Sequence, residues 1–223
     1  VPTAQGVIYG LQATIQTLEG TDELAGRSYS IQGLGKVGFK VAEQLLAAGA
    51  QIYVTDINEK ALKMIQERAE LLPGNVEVVE GSDIYGVDAD IFIPCALGGI
   101  IHDETIEQLK VKAIVGSANN QLLEDKHGLY LQQKGILYGP DYIVNAGGLI
   151  QVADELYGPN KARVLTKTRA IYDSLIQIYS ESTKNQISTM EAANLFCEEK
   201  LLARSKRNSF FAHNRRPKWQ VRN

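Results

Sequence analysis

Ser28-Tyr-Ser-Ile-Gln-Gly-Leu-Gly-Lys-Val-Gly-Phe-Lys-Val-Ala42 is the stretch from which the rest of the chain is read. Tyr29 to Ile31 is a short apolar run and reads as a buried strand. It enters Gly33-x-Gly35-x-x-Gly38, after which Val37, Val41, Leu45 and Leu46 recur at helical spacing. Strand, glycine turn and helix in this order are the context of a dinucleotide-binding fingerprint. Gly33 makes the tight turn, Gly35 lets backbone approach a pyrophosphate, and Gly38 lets the helix pack closely on the strand. The helix N-terminus offers free N–H groups and a positive dipole end to the phosphates, with Lys36 and Val37 on the turn itself. A lone glycine motif is weak, so the partner acid matters. Gln51-Ile-Tyr-Val-Thr-Asp56 reads as a second strand ending in a carboxylate 23 residues past Gly33. That is where such folds place an acid that accepts hydrogen bonds from ribose hydroxyls. Ile57 and Asn58 follow Asp56, so a 2′-phosphate would meet an acid without a counter-charge. The expected cofactor is NAD rather than NADP.

Composition narrows the class. With 223 residues, 44% hydrophobic and 22% charged, the chain has the make-up of an ordinary globular protein with a sizeable core. A net charge of −3 gives no reason to expect nucleic acid. From Lys200 onward there are eight Lys or Arg and no acid, a basic end that reads as a solvated, flexible tail over residues 208–223. Cys95 and Cys197 stand far apart, and three scattered histidines make a metal site unexpected. No run of 18 apolar residues and no signal-like opening is present, so a cytoplasmic protein without membrane spans is expected.

The βα alternation continues along the chain. A leading helix, Thr3 to Leu18, is expected to end at Gly20, and Asn58 reads as the N-cap of a helix over Lys60 to Glu70. Strands are expected at Val76–Val79, Ile91–Ile93, Ala113–Val115 and Leu137–Tyr138, with short helices over Asp103–Leu109 and Leu129–Lys134. Three strand exits carry polar or glycine-rich loops: Pro94 to Gly99, Gly116 to Asn120, and Pro140 to Gly148. Ligands in open parallel sheets sit at such carboxyl ends. Paired amides at Asn119 and Asn120 can both donate to and accept from a carboxamide, although loop capping accounts for them as well. A helix from Leu149 to Leu156 follows, then two long ones, Lys161–Lys184 and Thr189–Arg207. The last is expected to bury Ala192, Leu195, Phe196 and Leu202. The fold class expected is α/β: a Rossmann-type, doubly wound, mostly parallel sheet over residues 1–158, with C-terminal helices over 159–207 packing on it.

Six segments occur in register: Asp56-Ile-Asn58, Asp83-Ile-Tyr-Gly86, Pro94-Cys-Ala-Leu-Gly-Gly-Ile-Ile101, Gly116-Ser-Ala-Asn-Asn-Gln-Leu122, Pro140-Asp-Tyr-Ile-Val-Asn-Ala-Gly-Gly148 and Ala153-Asp-Glu-Leu-Tyr-Gly158. Together they resemble the C-terminal, NAD-binding half of leucine dehydrogenases in the Glu/Leu/Phe/Val dehydrogenase family, over about residues 1–207. The resemblance implies NAD-dependent oxidative deamination of an L-amino acid to a 2-oxo acid and ammonia. It implies that Gly33, Gly35 and Gly38 hold the pyrophosphate and Asp56 the adenosine ribose. It places Thr3, Asn119 and Asn145 around the nicotinamide and Cys95-Ala96-Leu97 against its ribose. Leu149 and Val152 match the positions that face the substrate side chain. They lie at i and i+3 on one helical face, and periodicity alone would equally make them core residues. Neither could hydrogen-bond a carboxylate, and burying one unpaired costs several kcal/mol, so glutamate is disfavoured. A leucine- or valine-like substrate is the first expectation, an aromatic amino acid the alternative.

The lysines that bind and activate substrate in this family belong to an N-terminal catalytic domain that the sequence does not match, so that domain is an expected partner, on the same or a separate chain. Lys36, Lys110, Lys112, Lys161 and Lys167 offer no convincing substitute, and no catalytic residue is assigned. The family resemblance also implies a homo-oligomer. The competing reading is a stand-alone NAD-binding module without turnover.

Overall fold

The computed structural model describes residues 2–156 and 158–212, and side chains as far as residue 203. Six strands form one sheet, every pairing parallel: β1 (Ser28–Gln32), β2 (Gln51–Thr55), β3 (Asn75–Val78), β4 (Ile91–Pro94), β5 (Ala113–Ile114) and β6 (Leu137–Tyr138). Their spatial order is β3-β2-β1-β4-β5-β6. The order reverses between β1 and β4, and in a doubly wound sheet the crevice for a ligand opens there, outside the carboxyl ends.

The strand sequences explain why both faces are covered. In β4, Ile91 and Ile93 enter one apolar cluster while Phe92 enters another; in β5, Ala113 and Ile114 divide in the same way. Successive side chains of a strand point to opposite faces, so an unbroken apolar run requires packing on both sides. The larger cluster lies against α1 (Pro2–Glu19), α2 (Gly38–Ala47), α3 (Glu59–Ala69) and α8 (Lys161–Asn185). The smaller lies against a 3₁₀ turn at Gly81–Gly86, α4 (Asp103–Gln108) and α5 (Lys126–Gln133). Two short helices, α6 (Asp141–Val144) and α7 (Gly147–Glu155), join β6 to α8, and α9 (Thr189–Ala212) closes the described chain.

Expected and observed elements agree closely for the sheet and the long helices. Gly20 ends α1 with φ +74°, and Asn58 caps α3 by accepting a hydrogen bond from the Lys60 N–H. Val164, Ile171, Leu175, Ile178 and Tyr179 are all buried on α8, as its periodicity predicts.

Three expectations need correction. Asn145 does not leave β6 directly, because the one-turn α6 intervenes; Pro140 followed by an acid was a start signal for it. On α9 the buried pair is Ala192 and Ala193, against Ile178, while Leu195 and Leu202 are 48% and 62% exposed and Phe196 is half-buried. The helix meets the core at its first turns, where Ala192 and Ala193 are buried with Ile178 and the half-buried Phe196 packs against them. Finally, α9 runs on to Ala212, so residues 208–212 of the expected tail are helical. The rest of that tail, 213–223, lies outside the described residues.

Candidate cofactor and substrate site

The glycine turn is stitched to the strands on both sides of the crevice. The Gly33 N–H donates to the Thr55 carbonyl at 2.8 Å, and the Cys95 N–H donates to the Gln32 carbonyl at 2.8 Å. Gly33 has φ +95°, and a Cβ there would lie 2.7 Å from the Cβ of Ala96. A Cβ on Gly38 would run into the carbonyl oxygen of Gly33. Both positions are therefore closed to any other residue by close approach. Gly35 differs: it is exposed, and a Cβ on it would meet nothing within 4 Å. The space in front of it is open. Lys36 is exposed and Val37 half-buried beside it, and α2 carries no side-chain cap at its N-terminus. Its first N–H groups thus face the open side of the turn with the dipole's positive end.

Asp56 ends β2 at the rim of this turn. Its Oδ2 accepts from the Leu34 N–H at 2.5 Å and its Oδ1 from the Asn58 N–H at 2.7 Å. The carboxylate is held by two backbone donors, one of them inside the glycine turn, and each oxygen keeps a further acceptor site. Ile57 beside it is fully exposed. A turn with an open glycine, an uncapped helix N-terminus and an oriented carboxylate suits a dinucleotide, so the residues present fit the expected cofactor.

Across the crevice, the loop after β4 presents Cys95 half-buried and Ala96 and Leu97 exposed. Burial pushes the Cys95 thiol up, only partly opposed by hydrogen bonds with Ser117, so it stays a thiol at neutral pH. The two amides meet: Asn145 Nδ2 donates to Asn119 Oδ1 at 2.6 Å. Thr3 reaches the same region from the start of α1, its Oγ1 standing 3.0 Å from where a Gly148 Cβ would be. Leu149 and Val152, on the next turns of α7, are 74% and 60% exposed. They are not core residues; the described chain leaves this aliphatic pair uncovered.

Two of the lysines weighed as substitutes are held in ion pairs. Lys112 pairs with Asp90 at 2.8 Å and Glu19 at 3.6 Å, at the amino ends of the strands, and Lys167 reaches Asp154 at 4.0 Å. Three residues with positioning contacts escaped the sequence reading: Ser117 on the Cys95 thiol, Asp141 on the asparagine loop, and Asp154 at the α7–α8 corner. Each acts on a partner distant in sequence or on an irregular loop, where no periodic signal exists.

Sheet order and glycine turn define a nucleotide-binding domain of the Rossmann class. The chain belongs to the Glutamate/Leucine/Phenylalanine/Valine dehydrogenase family, whose sequence model matches residues 2–207. It is 62% identical over 222 residues to the phenylalanine dehydrogenase of Caldalkalibacillus thermarum (strain TA2.A1), covering 100% of this chain and 60% of that protein. The leucine dehydrogenase of Bacillus cereus is 43% identical over 212 residues, covering 95% of this chain and 57% of that one. Among solved structures, L-tryptophan dehydrogenase from Nostoc punctiforme superposes with a TM-score of 0.84 at 35% identity, covering 90% and 60% of the two chains. The hetero-hexameric glutamate dehydrogenase of Thermus thermophilus, at 20% identity and a TM-score of 0.65, shares the fold. The chain spans about 60% of the length of the curated relatives it matches. The family is one of nicotinamide-dependent oxidoreductases acting on CH–NH₂, in agreement with the NAD expected from the turn and Asp56. No helix among the described residues is long and apolar enough to cross a membrane.

Proposed function

We propose that this chain is the NAD-binding part of an amino-acid dehydrogenase that oxidatively deaminates an apolar L-amino acid, with an aromatic side chain preferred. The observation that carries the reading is the convergence, at one mouth of the sheet, of the glycine turn, the Asn119–Asn145 pair and the exposed aliphatic pair Leu149 and Val152. When bound, NAD supplies the acceptor for the hydride that leaves the substrate Cα. The chain's own residues position and select. Gly33, Gly35, Lys36, Val37 and Gly38 hold the pyrophosphate, Asp56 and Ile57 the adenosine end, and Cys95, Ala96 and Leu97 flank the nicotinamide ribose. Asn119, Asn145 and Thr3 orient the carboxamide. Leu149 and Val152 give the substrate side chain an apolar wall and exclude a side-chain carboxylate.

The aliphatic first expectation gives way on one point. Phenylalanine dehydrogenases match at 62% identity where leucine dehydrogenases match at 43%, and two aliphatic residues form as good a wall for a phenyl ring as for a leucine side chain. Proton handling at the substrate amine falls to residues in the share of the relatives that this chain does not span, and self-association through the family's oligomeric architecture is part of the same proposal. Spectrophotometric assay of NADH formation with L-phenylalanine, L-leucine and L-glutamate tests it, run with the N-terminal catalytic domain present on the same or a separate chain. The expected order is phenylalanine, then leucine, with glutamate inert. A higher rate with leucine would overturn the aromatic preference. NAD binding with no turnover on any of them would favour a cofactor-binding module instead.

A further inference from the structure

The one-turn α6 sits between the two loops that carry Asn119 and Asn145. Its C-cap is Asn145 itself. Its first residue, Asp141, is only 8% exposed and turns its carboxylate away from solvent. Asp141 Oδ2 accepts a 2.5 Å hydrogen bond from the backbone N–H of Asn120, 21 positions earlier in the chain. Asn120 adopts φ +52°, a left-handed conformation that asparagine enters more readily than other residues with a Cβ. The second hold on Asn120 is at its carbonyl, which accepts from the Gly99 N–H at 2.7 Å. A Cβ on Gly98 would stand 2.6 Å from the carbonyl oxygen of Asn119, so the loop after β4 presses directly on this segment. The neighbouring side chain, Asn119, is the one that takes the Asn145 amide. α6 is itself fixed at its back. The Tyr142 hydroxyl donates to Asn194 Oδ1 on α9 at 2.9 Å, and Val144 is fully buried.

We propose that Asp141 is a positioning residue for the nicotinamide end of the cofactor: by fixing the left-handed Asn120, it holds Asn119 at the distance and angle at which it pairs with Asn145. This deepens the proposed function and rests on its placing of the two asparagines around the nicotinamide. Asp141 touches no ligand in this scheme. Its effect is confined to one end of the dinucleotide, because the glycine turn lies between β1 and α2, Asp56 follows β2, and among the described residues neither shares a hydrogen bond with it.

Calorimetric titration of the protein with NAD and with ADP-ribose, which carries the adenosine, pyrophosphate and second ribose but no nicotinamide, separates positioning from general destabilisation. In the unaltered protein NAD binds more tightly than ADP-ribose. In Asp141→Ala, NAD affinity falls about tenfold or more towards that of ADP-ribose, as expected when a charge-assisted hydrogen bond is lost, while ADP-ribose affinity stays within about twofold. Asp141→Asn keeps an oxygen acceptor for the Asn120 N–H and recovers part of the NAD affinity. Equal losses for both ligands, or no change in either, overturn the inference. If Asp141→Ala does not fold, Asp141→Asn decides alone: a lowered ratio of NAD to ADP-ribose affinity supports the role and an unchanged ratio overturns it. Should the unaltered protein fail to prefer NAD, the placing of the asparagines around the nicotinamide is wrong and this inference falls with it. A fault in Asp141 alone leaves that preference intact.

Discussion

The three glycines of the turn look alike in sequence and differ in what a methyl group would meet. On Gly38 it would stand 1.9 Å from the Gly33 carbonyl oxygen, which is backbone and cannot step aside; on Gly35 it would enter open space without a left-handed φ to forbid it. Gly38→Ala is therefore expected to lose several kcal/mol of stability or to fail to fold, as overpacked sites do. Gly35→Ala should leave the thermal melt within about 1 kcal/mol of the unaltered protein, because Ala narrows the unfolded ensemble and clashes with nothing. Its NAD affinity should fall nonetheless, since the methyl group occupies the approach to the pyrophosphate. Melts with and without NAD check both statements, and a Gly35→Ala protein that binds NAD normally would sink the phosphate assignment. Gly33 and Gly38 were legible in the sequence because no other residue type fits there, and Gly35 because of its place in the fingerprint. Asp56 was half legible: its spacing marked the ribose position, but nothing local foretold that the same carboxylate also grips the Leu34 N–H. Asp141 was illegible, for its partner is 21 positions away in an irregular loop.

Helices with a long apolar period were readable to within a residue or two, as α1 and α8 show. Short pieces were not. The one-turn α6 and the 3₁₀ turn at Gly81–Gly86 are set by what they dock on, and four to six residues hold too little periodicity to betray them. The corner between α7 and α8 is another such case. Asp154, with a side chain 1% exposed, accepts from the Asn160 N–H at 2.9 Å and from Arg163 Nε, while Arg163 also donates to the Gly158 carbonyl at 2.7 Å. The Arg163 hydrogen bond is the chief influence holding the Asp154 carboxyl below the usual carboxylate range, against the opposing effect of desolvation. A carboxyl whose pKa is lower folded than unfolded contributes stability above its unfolded value, about 3.9, and loses it as pH falls through the folded value. Arg163→Gln should accordingly be less stable than the unaltered protein at pH 7, with the two melting curves converging as pH is lowered below about 4. A gap that stays constant from pH 7 to pH 3 would show that Arg163 acts by packing alone.

Burial belongs to the assembled chain, which is why periodicity could not tell whether Leu149 and Val152 face a core or a ligand; only their 74% and 60% exposure does. The strand order was likewise beyond local reading, since it depends on where each crossover lands. What closes the domain is the pairing of α1 with α8, drawn from opposite ends of the sequence and sharing one core with the sheet. At its centre the Thr14 hydroxyl and the Tyr179 hydroxyl lie 2.8 Å apart, both buried. Thr14 Oγ1 already donates to the Gly10 carbonyl at 2.9 Å, so its proton is committed and Tyr179 must be the donor between the two. Burial pushes the Tyr179 phenol far up, so that proton is present across the ordinary pH range. Removing the acceptor should then hurt more than removing the donor. Thr14→Val keeps the side chain's shape and leaves a buried phenol without a partner, at a cost of about 1–3 kcal/mol. Tyr179→Phe leaves Thr14 still bonded to Gly10 and should cost about 1 kcal/mol or less. In the double variant the stranded hydroxyl is gone, so Thr14→Val should become nearly neutral on the Tyr179→Phe background, a coupling that denaturant melts of all four proteins would measure. Equal, additive losses would show that the helices are joined by apolar packing and that the hydroxyl pair is incidental to it.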